Sequence, residues 1–269
     1  MEALGLGVNQ VLILNLLHSF WNAFWFFVRQ SFKWSRSGYS EATRITPLFH
    51  SEAERVNTIY GFSDMGWRLS PANWHRNLAT LWYLEQMLST IDYTTFVRVM
   101  EPGCQNFSRL PAIDRYMSFR GWQGSILGVE LDAYVPVKNF YSLYDHAQYY
   151  RSLVTSETTF EAADFFKMQN PVDLILCFYP FVSQEPALAW GLPAHFAGAD
   201  KWINAFLKNL QPNGFILVVH QGDWEEKDFD KARGLHPLRL IKRQELTCPF
   251  FKTKYPARFS LYQKIESSE

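Results

Sequence analysis

The side chains best placed to do chemistry in this chain are carboxylates that directly follow apolar, β-branched runs. Glu101 follows the run 96–100, FVRVM, and leads into Pro102-Gly103-Cys104-Gln105-Asn106-Phe107. Glu130 and Asp132 close the run 125–131, SILGVEL, and Asp164-Phe165 follow 158–162, TTFEA. Two further runs, VDLILCF and GFILVVH, lead into Phe178-Tyr179-Pro180-Phe181 and His220-Gln221-Gly222-Asp223. An ionised carboxylate only accepts, so such acids suit the hydroxyl and amino groups of a ligand. Glycine beside them lets the backbone come close. His195 and His220 are the candidate acid–base groups, and each is also readable as a structural or surface histidine. No His/Cys group has metal-ligand spacing, so no metal is expected. Neither a Gly-x-Ser-x-Gly elbow nor a Gly-Lys-Ser/Thr phosphate loop occurs.

These groups can act together only if a scaffold gathers the ends of the runs. The runs 96–100, 125–131, 158–162, 172–178 and 214–220 read as strands, and helices are expected at 110–119, 136–153 and 200–210 between them. Before the first strand, Ser70-Pro71 opens a strong helix running through Leu88, with Ser as cap and Pro in its first turn. Apolar strands separated by helices predict an α/β fold with a parallel sheet covered on both faces. Two last strands, 238–244 and 258–265, lie too close for a helical crossover and should form an antiparallel hairpin. In such a sheet, ligands sit beyond the carboxyl ends of the strands, where these acids fall.

This order of elements over residues 70–265 resembles the class I S-adenosylmethionine-dependent methyltransferases. EPGCQNF (101–107) stands where that family has its acidic, glycine-rich first motif. ILGVELD (126–132) looks like its second strand with a terminal acid, ADF (163–165) like the acid before its fourth strand, and FLKNLQPNGFILVV (206–219) like its helix, turn and fifth strand. The pieces LAWGLP (188–193) and HQGDWEE (220–226) are similar to a bacterial branch without a known substrate. The resemblance implies a Rossmann-like, mostly parallel seven-stranded sheet and S-adenosyl-L-methionine as cofactor. It assigns cofactor contacts to Glu101, Gly103, Cys104, Glu130, Asp164, Phe165 and Phe178, with Glu130 on the ribose hydroxyls. Asp164 would take the adenine amino group and Phe165 cover the ring. Gln105 and Phe107 occupy places where the family carries glycine. Asn106 is expected to take the left-handed conformation that keeps the turn, and the larger side chains to crowd the methionine end. Phe178-Tyr179-Pro180-Phe181 lacks the Asn or Asp of amino-methylating relatives, leaving Tyr179, His195 and His220 as catalytic candidates. The implied activity is methyl transfer to a small or lipid-like acceptor. The alternative is an inactive methyltransferase-fold subunit for binding or assembly, and a nicotinamide-dependent oxidoreductase fits the glycine pattern less well.

The chain has 269 residues, 48% hydrophobic and 19% charged, so it can bury a substantial core. Lys+Arg and Asp+Glu are 26 each, and no nucleic-acid partner is expected from a neutral chain. Cys104, Cys177 and Cys248 are odd in number and far apart, which suits a reducing compartment. From Ala3 to Val28 there is no charged residue, about 39 Å as a helix and enough to cross a bilayer. Asn15, His18, Asn22 and Arg29 share one helical stripe, and Arg29, Lys33 and Arg36 follow with Trp21, Trp25 and Trp34 nearby. Residues 1–34 are therefore expected to attach to a membrane or a hydrophobic protein partner. The competing reading is a helix packed on its own domain, polar stripe outward. Residues 35–69 read as a connector with one short helix, and 70–269 as the methyltransferase-like domain. The expected location is cytoplasmic, with attachment to the inner face of a membrane as the further option.

Overall fold

The computed structural model describes residues 8–43, 50–93, 96–137, 140–252 and 256–265. Eight α-helices and seven strands alternate in chain order among them: α1 (Val8–Gln30), α2 (Ser51–Ile59), α3 (Pro71–Leu88), β1 (Val97–Pro102), α4 (Leu110–Phe119), β2 (Gly124–Glu130), α5 (Leu143–Arg151), β3 (Glu157–Ala162), β4 (Val172–Phe178), α6 (Gln184–Ala189), α7 (Ala199–Asn209), β5 (Leu210–His220), α8 (Asp223–Arg233), β6 (Leu238–Leu246) and β7 (Ala257–Lys264).

The strands form one sheet in the order β3-β2-β1-β4-β5-β7-β6. The first five run parallel, and β7 inserts antiparallel between β5 and β6. The expected Rossmann-like sheet with its terminal hairpin is therefore present. Alternation along β4 shows why both faces are covered. Leu174 and Leu176 join a core with α3, α4 and α5, while Ile175 and Cys177 join a second core with α7 and α8. Strand order reverses between β1 and β4, so the crevice beyond their carboxyl ends is the place for a ligand.

Three local expectations are corrected. The helix expected at 136–153 starts only at Leu143. Pro136 pairs in a bridge with Ser142, and Ser142 and Asp145 form a reciprocal capping box that sets the helix start. Ser70 does stand at the N-cap of α3, but its side chain makes no capping bond; its backbone N–H donates instead to the Glu41 carboxylate. Residues 51–69 are not a mere connector, because Val56, Tyr60, Phe62, Met65 and Leu69 pack in the same core as Leu78, Leu81 and Leu84 of α3.

The N-terminal helix α1 packs against its own domain. No helix among the described residues is long and apolar enough to cross a membrane. Of the polar stripe, Asn22 and Arg29 turn inward onto the domain, while His18 is exposed. Asn22 Nδ2 donates to the carbonyls of Leu188 (3.0 Å) and Leu192 (3.1 Å), and Ser19 Oγ accepts from Ala194 N–H. Arg29 pairs with Asp132 at 2.6 Å and donates to Gly191 O. Side chains of α1 thus bond the carbonyls of Leu188, Gly191 and Leu192 at the end of α6 and just after it.

Candidate functional site

A cavity of about 840 Å³ lies beyond the carboxyl ends of β1 to β5. This is near the upper end of what small-molecule sites offer, typically ~300–1,000 Å³. Gly103, Gln105 and Asn106 reach it from β1, Glu130 and Asp132 from β2, Asp164 and Phe165 from β3, and Phe178, Tyr179 and Phe181 from β4.

The turn after β1 is built around left-handed backbone at alternate residues, Gly103 (φ 64°), Gln105 (φ 54°) and Phe107 (φ 59°). Asn106, expected to supply that conformation, is not among the left-handed residues. The positions where the resembled family has glycine keep glycine-like backbone without being glycine, which costs about 1 kcal/mol or more at each. Packing on Phe107 offsets it. Its ring is fully buried, 6.0 Å from Phe160, and a Cβ on Gly128 of β2 would come within 2.9 Å of it. Phe107 therefore points into the core and does not crowd the cavity. Gln105 has no such anchor. Gln105→Gly is expected to leave the melting temperature unchanged or raise it by about 2 °C. A fall of more than about 4 °C in thermal denaturation would contradict the strain argument.

Glu130 ties this turn to β2. One carboxylate oxygen accepts from Gln105 N–H at 2.8 Å and the other from Asp132 N–H at 3.0 Å. A carboxylate offers about four acceptor sites, so roughly two remain for a ligand. Burial pushes its carboxyl above the usual range, opposed by these backbone donors. Asp164 caps the short turn 165–167, accepting from Phe166 N–H at 3.0 Å, with Lys167 Nζ 3.4 Å away. Phe165 is wedged against Trp202 and Phe206. Phe178 lies under the Arg109 guanidinium, 4.2 Å from the ring centre. Tyr179 lines the cavity in a left-handed conformation (φ 61°), held by its N–H on Val219 O.

Four expected site residues do not border the cavity. Glu101 is buried behind it, paired with Arg109 at 3.2 Å; burial raises its carboxyl to about 7, and its second oxygen has no partner. Cys104 is buried with Sγ 3.5 Å from Val129 O, and burial pushes its thiol up. His220 lies wholly inside, edge-on to Phe229, its imidazole pushed down to about 4 by burial. His195 sits exposed on the short turn 194–196 against Phe196. Neither histidine faces a place where a substrate proton could be taken, so both are withdrawn as acid–base groups.

Sequence reasoning missed the opposite wall. Residues 39–42 cross the cavity, with Tyr39 stacked on His146 of α5 (3.7 Å between ring centres). Glu41 accepts from Ser70 N–H, Asn73 and Tyr150. Arg76 of α3 opens into the cavity, donates to Asn73 Oδ1 at 2.9 Å, and makes no ion pair among the described residues. Burial and the nearby Arg109 cation push the Arg76 guanidinium pKa down. Asn73 and Arg76 stand three apart, which does put them on one helix face. Nothing in the sequence says that this face meets the turn after β1.

No protein-family model and no curated protein sequence matches the chain. Solved structures do. A candidate class I S-adenosylmethionine-dependent methyltransferase from Listeria monocytogenes aligns at TM-score 0.51 and 14% identity, over 83% of this chain and 72% of its own. A candidate RNA methyltransferase from Pyrococcus horikoshii aligns at TM-score 0.51 and 13% identity, over 82% and 100%. TrmN from Thermus thermophilus aligns at TM-score 0.50 and 14% identity over 70% of this chain, which spans 49% of that protein. At these identities the likeness is one of architecture, and the chain has the fold of the class I S-adenosylmethionine-dependent methyltransferases.

Proposed function

We propose that the protein transfers a methyl group from S-adenosyl-L-methionine to a small or lipid-like acceptor. The observation that carries this reading is Glu130. It stands at the end of β2, faces the cavity, and keeps acceptor capacity after holding Gln105 and Asp132. The surrounding residues suit the same cofactor. Glu130 would take the ribose hydroxyls, and Phe165 and Phe178 would flank the base, with Asp164 at its edge. Gly103 brings backbone close, and Arg76 offers an unpaired cation to a carboxylate. When bound, the cofactor supplies an electrophilic methyl group. The chain's own work is then to orient the two partners and keep water out, which is where most of the rate in an in-line displacement comes from. Tyr179 and Phe181 form the apolar lining beside that end of the site. Attachment of the N-terminal segment to a lipid surface or hydrophobic partner belongs to the same reading.

Thermal denaturation with and without millimolar S-adenosylhomocysteine tests it, since a ligand of the folded state raises the melting temperature. Arg76→Met should bind about 10- to 100-fold more weakly, the loss of a charge-assisted contact. A wild-type protein with no shift at any ligand concentration would contradict the reading.

A further inference from the structure

Helix α1 is amphipathic the wrong way round for a helix on a water-soluble domain. Four of its polar side chains, Ser19, Asn22, Arg29 and Gln30, are spent on its own domain, and His18 is exposed. Its outer face carries Leu16, Phe20, Trp21, Phe24, Trp25 and Phe27, with Leu16 70%, Phe20 75% and Phe27 72% exposed. The patch continues past the helix through Phe32 and Trp34, whose indole N–H donates to the carbonyl of exposed Phe140. A run of large apolar side chains of this kind is not left in water by a monomeric protein.

The chemistry of the patch selects its occupant. Residues 3–40 contain no Asp or Glu, while Lys33 and Arg36 are exposed at the end of the helix. Both rest on aromatic rings, Lys33 5.7 Å from Tyr134 and Arg36 5.0 Å from Tyr141. Two copies meeting on this face would oppose the same basic residues with no acid from this segment to pair them. An anionic lipid surface offers both an apolar layer for Phe and Leu and charge for the bases, and Trp prefers that boundary. Helix length does not argue for crossing, since α1 is fixed flat on the domain by bonds spread from Ser19 to Gln30.

We infer that α1 docks the protein on the surface of an anionic bilayer, lying in the interface with its Trp- and Phe-rich face down. Arg29 of α1 and the exposed Trp190 both line the cavity, so the docked protein presents the edge of its site to the lipid. Resting on the proposed methyl transfer, this makes the acceptor an amphiphile that enters from the membrane.

Flotation of the full chain with vesicles of phosphatidylcholine and about one-third phosphatidylglycerol tests the docking. The protein is expected to float with these vesicles, with tryptophan emission shifted to the blue and quenched by brominated lipid chains. The triple variant Phe20→Ser, Trp21→Ser, Phe24→Ser should lose at least about tenfold in partitioning, each site losing the transfer free energy of a buried aromatic. Lys33→Gln with Arg36→Gln should lose about 30-fold, from ~1 kcal/mol per basic residue. Failure of the wild-type chain to float would overturn the inference. So would a soluble dimer in light scattering that the triple variant turns to monomer, because the face would then belong to a second copy. Quenching in the wild-type chain reads docking without any variant. The S-adenosylhomocysteine thermal shift, run on the same samples, reports the cofactor reading separately.

Discussion

Glu130→Ala is expected to lower affinity for S-adenosylhomocysteine by about 10- to 100-fold, ~1.5–3 kcal/mol for hydrogen bonds to a charged group. The carboxylate is the acid that both faces the cavity and fixes the turn after β1 through Gln105 N–H. Its removal therefore acts twice, by deleting acceptors for the ribose and by freeing a strained turn. Calorimetry on the variant separates the two when read beside its melting temperature without ligand. A variant that keeps wild-type affinity would mean that the cofactor does not lie along β2.

The second large effect is a pH dependence hidden by compensation. Burial raises the folded-state Glu101 carboxyl to about 7 from an ordinary value near 4.5, so the folded state binds the extra proton between those values. Stability from this group is present at low pH and is lost as pH rises through that window. Buried His220 goes the other way, down to about 4 from 6.5, so its contribution is present above 6.5 and is lost as pH falls toward 4. The two windows nearly coincide with opposite signs. Glu101→Gln should therefore unmask the histidine. Relative to wild type, its unfolding free energy should gain about 2–4 kcal/mol between pH 4.5 and 7, taking ~1.4 kcal/mol per pKa unit. Urea midpoints measured across that range check it, and parallel curves for variant and wild type would refute it.

The strands were legible because their signal is local. VDLILCF is a strand at Val172–Phe178, and GFILVVH is the end of β5. The acids that follow the strands were legible for the same reason, and Glu130, Asp164, Phe165 and Phe178 do meet at one cavity. Conformation within the turn was not. Phe107 takes a left-handed backbone because Gly128, a neighbour only across β1 and β2, leaves room for its ring. Helix α8 was missed because DWEEKDFDKAR is charged almost throughout, and its buried face rests on few residues, with Phe229 fully inside. The stripe of Asn22 and Arg29 was visible in α1, but periodicity only groups residues on a face. That Asn22 and Arg29 meet carbonyls at the end of α6 and just after it, rather than water, is a tertiary fact. Arg76, Glu41 and His146 escaped for that reason too, coming from three segments that meet only in the fold.

Calorimetric titration of the full chain with S-adenosylhomocysteine tests the central claim most directly. The account predicts a one-to-one isotherm with a dissociation constant on the order of micromolar, ~8 kcal/mol of binding free energy. Absence of heat at millimolar ligand, from a protein that unfolds cooperatively, would contradict it and leave the cavity to another ligand.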